Sequence, residues 1–119
     1  MQDKPDRQAK EDALYGTLDV IILKSLDTMG PLHGHGIAKR LEQASDGSLQ
    51  LNPGTIYASL LRLLQRRWIS AAWGTSDHNR RAKFYTITKA GRRRLQDESA
   101  RWSRVAGLLA RLLDIPGRS

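Results

Sequence analysis

Between Asn52 and Leu113 the apolar pattern changes period twice, from helical to alternating and back, and this restricts the fold more than any other feature of the chain. Asn52-Pro53 couples a favoured N-cap residue to a proline at the first helical position. Ile56, Leu60, Leu63 and Leu64 then share one side of a helix expected to reach about Arg67. Ile69, Ala71 and Trp73 alternate, Phe84 and Thr86 alternate with Tyr85 and Ile87, and the polar run Gly74–Asn79 lies between them. Two such runs around a polar loop predict a β-hairpin. Thr88 is placed to cap a last helix extending to about Leu113.

Upstream, Leu14, Leu18, Ile21, Ile22 and Leu26, with Leu23 beside them, recur at helical spacing, and Gly16 or Thr17 would open that helix. Gly30-Pro31 ends it. A shorter helix is expected from about Gly34 to Ala44 with Ile37, Ala38 and Leu41 inward, followed by a turn at Ser45-Asp46-Gly47. Leu49-Gln50-Leu51 alternates briefly and suggests a strand stub. The reading is a mainly α chain with a small β-hairpin, an α+β winged helix-turn-helix with a long C-terminal dimerisation helix. Its parts are a flexible polar arm at residues 1–13, a DNA-binding domain at 14–88, a dimerisation helix at 89–114 and a tail at 115–119. A chain of 119 residues has room for one such domain.

The net charge of +8 is strongly localised. Segments 1–12 and 13–51 each carry −1 and the stretch after Leu95 carries +1. From Asn52 to Leu95, Arg62, Arg66, Arg67, Arg80, Arg81, Lys83, Lys89, Arg92, Arg93 and Arg94 face only Asp77, a net of +9. A solvated surface mixes signs; a segment almost without acid points to an acidic polymer. No cysteine is present, which excludes a disulfide framework and thiolate metal sites. The polar stretch Met1–Asp12 is not a secretory signal, and Asp19, Lys24 and Ser25 interrupt the best apolar run, Leu18–Leu26. A cytoplasmic, nucleoid-associated protein is expected.

The capped third helix suits a recognition helix, whose N-terminal residues meet base edges in the major groove. With its apolar side inward, Thr55, Ala58, Ser59, Arg62 and Arg66 are expected to point outward. The free amide groups of Pro53–Ile56 and the helix dipole favour a phosphate, and small hydroxyls allow close approach. Tyr57 fits either a backbone contact or packing against the first helix. The expected recognition set is therefore Asn52, Pro53, Gly54, Thr55, Tyr57, Ser59 and Arg62. Asn79, Arg80, Arg81 and Lys83 gather cations at the hairpin loop, where guanidinium groups enter a minor groove or clamp phosphates. Arg92-Arg93-Arg94 fits flank contacts and plain solvation equally.

On the last helix Leu95, Trp102 and Leu109 fall seven apart, as do Glu98, Val105 and Leu112, forming one a/d seam flawed by Glu98. Roughly 25 residues make a helix about 37 Å long, more than the preceding domain covers. A second copy is the expected partner, with Leu95, Trp102, Val105, Leu109 and Leu112 at the interface.

In combination and order, Leu14–Asp19, Gly30–Ile37, Asn52–Tyr57, Trp73-Gly74 and Asn79–Gly91 resemble the PadR family of bacterial transcriptional regulators, in its short form with a single C-terminal helix. The resemblance spans about Leu14 to Leu113. It implies a winged-helix repressor, dimeric through the last helix, acting on a palindromic operator. It carries the recognition-helix start onto Gly54, Thr55, Ile56, Tyr57 and Ser59, and the wing onto Asn79, Arg80, Arg81 and Lys83. His35 stands where an aromatic, commonly tyrosine, is usual, and Ile56 where leucine is common. Some relatives bind planar aromatic compounds between their last helices through a tryptophan, which makes Trp102 the residue for a small aromatic effector as well as a core anchor.

Other chemistry is poorly served. His33-Gly34-His35-Gly36 has two imidazoles at i and i+2 without cysteine or a carboxylate pair, so no metal is expected. There is no nucleophile–base set, carboxylate dyad or phosphate-cradling lysine loop, so neither an enzyme nor a cofactor is expected. The alternative of a different class is a winged-helix module that binds nucleic acid without sequence preference, or binds protein.

Overall fold

The computed structural model describes the backbone of residues 3–48 and 50–114, and side chains from Gly16 onward. Its elements run α1 (Asp3–Met29), β1 (Leu32–His33), α2 (Gly34–Ala44), α3 (Pro53–Gln65), β2 (Ile69–Thr75), β3 (Arg81–Ile87) and α4 (Lys89–Leu113). The antiparallel sheet has the order β1-β3-β2. In it Leu32 faces Tyr85, Ile69 faces Ile87 and Thr75 faces Arg81. The helix–hairpin–helix succession expected from the two period changes is therefore the one adopted, on an α+β fold. Among the described residues no helix is long and apolar enough to cross a membrane.

Local chemistry explains the boundaries. Gly30 ends α1 in the left-handed region (φ 83°), its N–H donating to Leu26 O at 3.0 Å, a conformation that costs glycine least. His33 caps α2, its Nδ1 accepting from the Gly36 N–H at 3.0 Å. Asn52 caps α3 with Oδ1, accepting from the Thr55 N–H at 2.8 Å and the Thr55 hydroxyl at 3.1 Å. Thr88 caps α4 by accepting from the Gly91 N–H at 3.0 Å.

Leu18, Ile22, Leu23 and Leu26 of α1 form the centre of the core. Ile37 and Leu41 pack on them from α2, and Ile56, Leu60 and Leu63 from α3. Ile69, Tyr85 and Ile87 close it from the sheet, and Leu95 from α4. Each element thus contributes one stripe or one face, as a two-layer domain requires.

Three expectations are corrected. The helix of α1 opens at Asp3, not at Gly16 or Thr17, so residues 3–13 continue a helix in place of the expected flexible arm. Acidic residues at 3 and 6 and a proline in the first turn suit a helix start. The third strand is Leu32–His33, not Leu49–Leu51: Gln50 and Leu51 carry no strand. The stub pairs with β3 because the chain leaves α1 beside Tyr85 and Phe84. Leu95 is only 5% exposed and belongs to the chain's own core, so it leaves the expected dimer seam. Expectations for Met1, Gln2, Leu49 and the tail 115–119 lie outside the described residues.

The start of α4 is locked to the α3–β2 corner. Thr88 donates its N–H to Trp68 O at 3.0 Å and its hydroxyl to Arg67 O at 2.8 Å. Gly91 sits so close to this corner that a Cβ would overlap the Trp68 carbonyl oxygen and meet Ile87 Cγ1 at 2.9 Å. Gly91→Ala is accordingly expected to cost about 3 kcal/mol, read as a lower urea midpoint at unchanged slope; an unaltered midpoint would contradict the close approach.

Candidate nucleic-acid interface

The orientation of α3 is set by a polar junction with α1. Asp19 accepts from the buried Ser59 hydroxyl and from both Arg62 Nε (3.2 Å) and Nη2 (2.8 Å). A carboxylate gripping a guanidinium by two bonds fixes rotation as well as distance. Two of the residues expected to read DNA are thereby placed elsewhere. Ser59 is fully buried, and Arg62 is half-buried and engaged by Asp19. Both turn from the outward set to the inward one.

α3 leaves its first turn open, with Tyr57, Ala58 and Leu61 further along. Asn52, Pro53 and Gly54 are exposed, Thr55 is half-buried, and Tyr57 is 57% exposed. The Asn52 side chain is occupied by the cap, so its expected contact with a partner reduces to presenting the helix start. Tyr57 is exposed and borders the cleft beside α2, so the packed alternative of its two sequence readings is not the arrangement found. The dipole and the amides of this turn favour an anion.

At the wing, Asn79 adopts φ 59° and donates its N–H to Ser76 O at 2.9 Å. The Ser76 N–H in turn donates to Arg80 O at 2.8 Å. Asn79 is thus a turn-former, asparagine being tolerant of the left-handed region. Arg80, Arg81 and Lys83 are exposed and have no carboxylate partner among the described residues. Trp73, 59% exposed, lies under two of them: Arg81 Cζ is 4.9 Å and Lys83 Nζ 5.7 Å from its ring centroid. Such contacts hold a cation in place without neutralising it.

Other cations of the basic stretch are spent within the fold. Arg92 pairs with Asp27 at 3.2 Å. Arg94 reaches buried Glu98 at 2.5 Å, which Arg101 also grips at 2.7 Å. Arg94 and Arg66 both stack on Trp68.

Two adjoining clefts join the exposed pieces. One, of about 550 Å³, lies between α2 and α3 and includes Pro53, Gly54 and Tyr57. The other, of about 730 Å³, lies between α2 and the wing and includes Arg80, Arg81 and Lys83. Gly34, His35 and Tyr85 line both. Burial, and next the nearby Tyr57 phenol, holds the Tyr85 phenol above its ordinary 10, so it remains a protonated donor. Trp73, His33, His35 and Tyr85 are additions to the residues expected at the site. Trp73 faces Lys83 across the hairpin, whereas His33 and His35 come beside Tyr85 through the pairing of Leu32 with Tyr85, which no local pattern announces.

Along α4 the expected seam residues Trp102, Val105, Leu109 and Leu112 are 39–70% exposed. Trp102 also borders a groove of about 330 Å³ shared with Thr17, Val20 and Ile21 of α1.

The model of the transcriptional regulator PadR-like family matches residues 22–97, well over half of the chain. The chain belongs to the PadR-like family of transcriptional regulators. This is a family of regulators and not of enzymes. A PadR-like transcription factor from Bacteroides fragilis is 25% identical and superposes with a TM-score of 0.75, over 88% of this chain and 98% of that one. A PadR-like transcriptional regulator from Bacillus cereus, also 25% identical, gives 0.73 over 84% and 94%. Bacillus subtilis PadR, solved in complex with operator DNA, is 25% identical with a TM-score of 0.59. It matches over 68% of this chain, which spans 45% of that protein.

In this PadR-like chain the Asp19 junction decides which face of α3 is free. Asp19→Asn is expected to lower stability by about 2 kcal/mol, measured by urea unfolding, because Arg62 loses its countercharge. A stability within experimental error of the parent chain would contradict that role.

Proposed function

We propose that this PadR-like protein is a sequence-specific double-stranded DNA-binding transcriptional regulator, a repressor that acts as a homodimer on a palindromic operator. Residues 14–88 form the DNA-binding unit and 89–114 the dimerising helix, and the protein works in the cytoplasm beside the bacterial nucleoid. The single observation that carries the reading is continuity. The open first turn of α3 and the wing cations border neighbouring clefts that share Gly34, His35 and Tyr85. A helix start and a cationic hairpin on one surface suit a major groove and the backbone or minor groove beside it.

In this reading Gly54, Thr55 and Tyr57 approach bases and phosphates, while Arg80, Arg81 and Lys83 serve the wing. Arg62 and Ser59 orient the helix. The operator-bound state of Bacillus subtilis PadR supports the choice of partner. Dimerisation is supported by the terminal half of α4, where Trp102, Val105, Leu108, Leu109, Leu112 and Leu113 are exposed. Contiguous apolar exposure of this kind marks an association surface. Two copies joined there would meet half-sites roughly 34–36 Å apart. Trp102, beside its groove, is the residue for a small aromatic effector.

The test is binding to a duplex from the protein's own upstream region against a scrambled duplex at one salt concentration. A preference of about 10³-fold or more is expected. Equal binding would favour a non-sequence-specific module, and no binding a protein-interaction module. Arg80→Ala/Arg81→Ala should flatten the dependence of log affinity on log salt by about 0.9 for each phosphate no longer neutralised. Leu109→Glu is expected to sediment as a monomer; an unaltered dimer would remove α4 from the interface.

A further inference from the structure

We propose that the cavity between α1, the α3–β2 corner and α4 binds a small doubly charged oxyanion, held by Arg66, Arg94 and Arg101 beside Trp68. It shares no wall residue with the two clefts at the start of α3 and at the wing, and the inference does not depend on the DNA-binding reading.

The first observation is a local surplus of charge. Arg62, Arg66, Arg94 and Arg101 line a cavity of about 370 Å³, and among the described residues its only carboxylates are Asp19 and Glu98. Asp19 balances Arg62. Glu98 is only 5% exposed, and its single charge serves two guanidinium groups. Its Oε1 lies 2.5 Å from Arg94 Nη2 and its Oε2 2.7 Å from Arg101 Nη2. Arg66 has no carboxylate partner among the described residues. Two positive charges therefore remain, one at Arg66 and one in the pair that shares Glu98. The Arg94 and Arg101 side chains stay within reach of a ligand, 44% and 59% exposed.

The second observation is that the cations are already oriented. Arg66 Cζ lies 5.2 Å and Arg94 Cζ 5.0 Å from the centroid of the Trp68 ring. Trp68 is itself fixed at the corner: its N–H donates to Leu63 O at 3.0 Å, and its carbonyl accepts from the Thr88 N–H at 3.0 Å. A guanidinium stacked on an aromatic face keeps its N–H donors in its own plane, available to a carboxylate or a phosphate. The stack holds the charge without neutralising it, so less ordering is left for the ligand to bring about. The end of α3 does not oppose an anion with bare carbonyls. Arg62 O, Leu63 O and Leu64 O accept from the N–H groups of Arg66, Trp68 and Arg67.

These features define the ligand by its chemistry. A dianion cancels the surplus, and guanidinium forks grip carboxylate and phosphate oxygens alike in bidentate fashion. Val20 and Leu23 of α1 supply an apolar wall, and the space beside Gly16 is open, which leaves room for a short carbon skeleton. The volume falls at the lower end of the roughly 300–1,000 Å³ of small-ligand clefts. The occupant is a compact organic dianion, a dicarboxylate or a phosphate monoester. It lies where Arg62, which orients α3 through Asp19, meets the helix that leaves the domain.

The experiment is an NMR titration of the full chain without DNA, following the Trp68 indole N–H and the Arg66, Arg94 and Arg101 Nε–H signals. The probes are succinate, inorganic phosphate and acetate, at one ionic strength held with sodium chloride. The shifts should saturate with succinate or phosphate at a Kd of about 1 mM or tighter. Acetate, which meets one surplus charge in place of two, should bind about tenfold more weakly. Saturation by succinate alone identifies a dicarboxylate site, by phosphate alone a phosphate monoester site, and by both the shared dianion chemistry. Arg66→Gln and Arg101→Gln each remove one surplus cation and should lose about tenfold in dianion affinity, as for hydrogen bonds to a charged group, with circular dichroism showing that each is folded. No saturation with either dianion, equal affinity for acetate, or two folded variants that bind as the parent chain does would overturn the assignment.

Discussion

Asp19 determines which residues of α3 reach solvent, and most of the interface depends on it. The carboxylate sits on the central helix of the core and takes up the Ser59 hydroxyl and the Arg62 guanidinium. Together with Ile56, Leu60 and Leu63 beneath them, these contacts set both the depth and the rotation of α3. A helix held by apolar contacts alone can rotate by small amounts at little cost, because dispersion and burial are not directional. A bidentate ion pair is directional. The surface left over is the first turn with Tyr57, Ala58 and Leu61 beyond it and Gln65 and Arg66 at the far end.

The second fixed point is the corner where Trp68, Thr88 and Gly91 meet. It ties the end of α3, the start of the hairpin and the start of α4 into one unit, so the wing and the long helix cannot move independently at their roots. Beyond that corner α4 changes character. Leu95 and Glu98 are buried by the chain itself, Glu98 with Arg94 and Arg101 around it. From Arg101 onward every described residue is exposed. One helix thus closes a domain with its first half and offers an uncovered apolar stripe with its second.

Much of this is legible in the sequence because it is local. Asn52-Pro53, Gly30-Pro31 and Thr88 announce caps by residue type, and the hairpin follows from alternation on either side of a polar run. Non-local choices are not legible. Ser59 and Arg62 look like outward polar residues on a helical wheel, and only a partner forty residues away turns them inward. Leu95 continues a heptad perfectly well yet is claimed by the intrachain core. Glu98 reads as a flaw in the seam, whereas it is the buried hub of an intrahelical arginine pair. The strand stub forms at Leu32, away from the alternating leucines near position 50, because a two-residue strand carries no periodic signal of its own. The cleft residues His33, His35 and Tyr85 become neighbours only through the β1–β3 pairing.

The division of cations follows the same logic. Arg62, Arg92 and Arg94 are balanced by carboxylates from α1 and α4, whereas the wing cations are oriented by Trp73 without being balanced. The wing therefore keeps unbalanced positive charge on clefts that adjoin the open start of α3. Amide chemical-shift mapping by NMR during titration with the upstream duplex tests that most directly. The largest changes are expected at Gly54–Tyr57, His35–Gly36 and Ser76–Lys83, together and saturating at one stoichiometry. Changes confined to the exposed half of α4, or separate titrations for α3 and the wing, would contradict it.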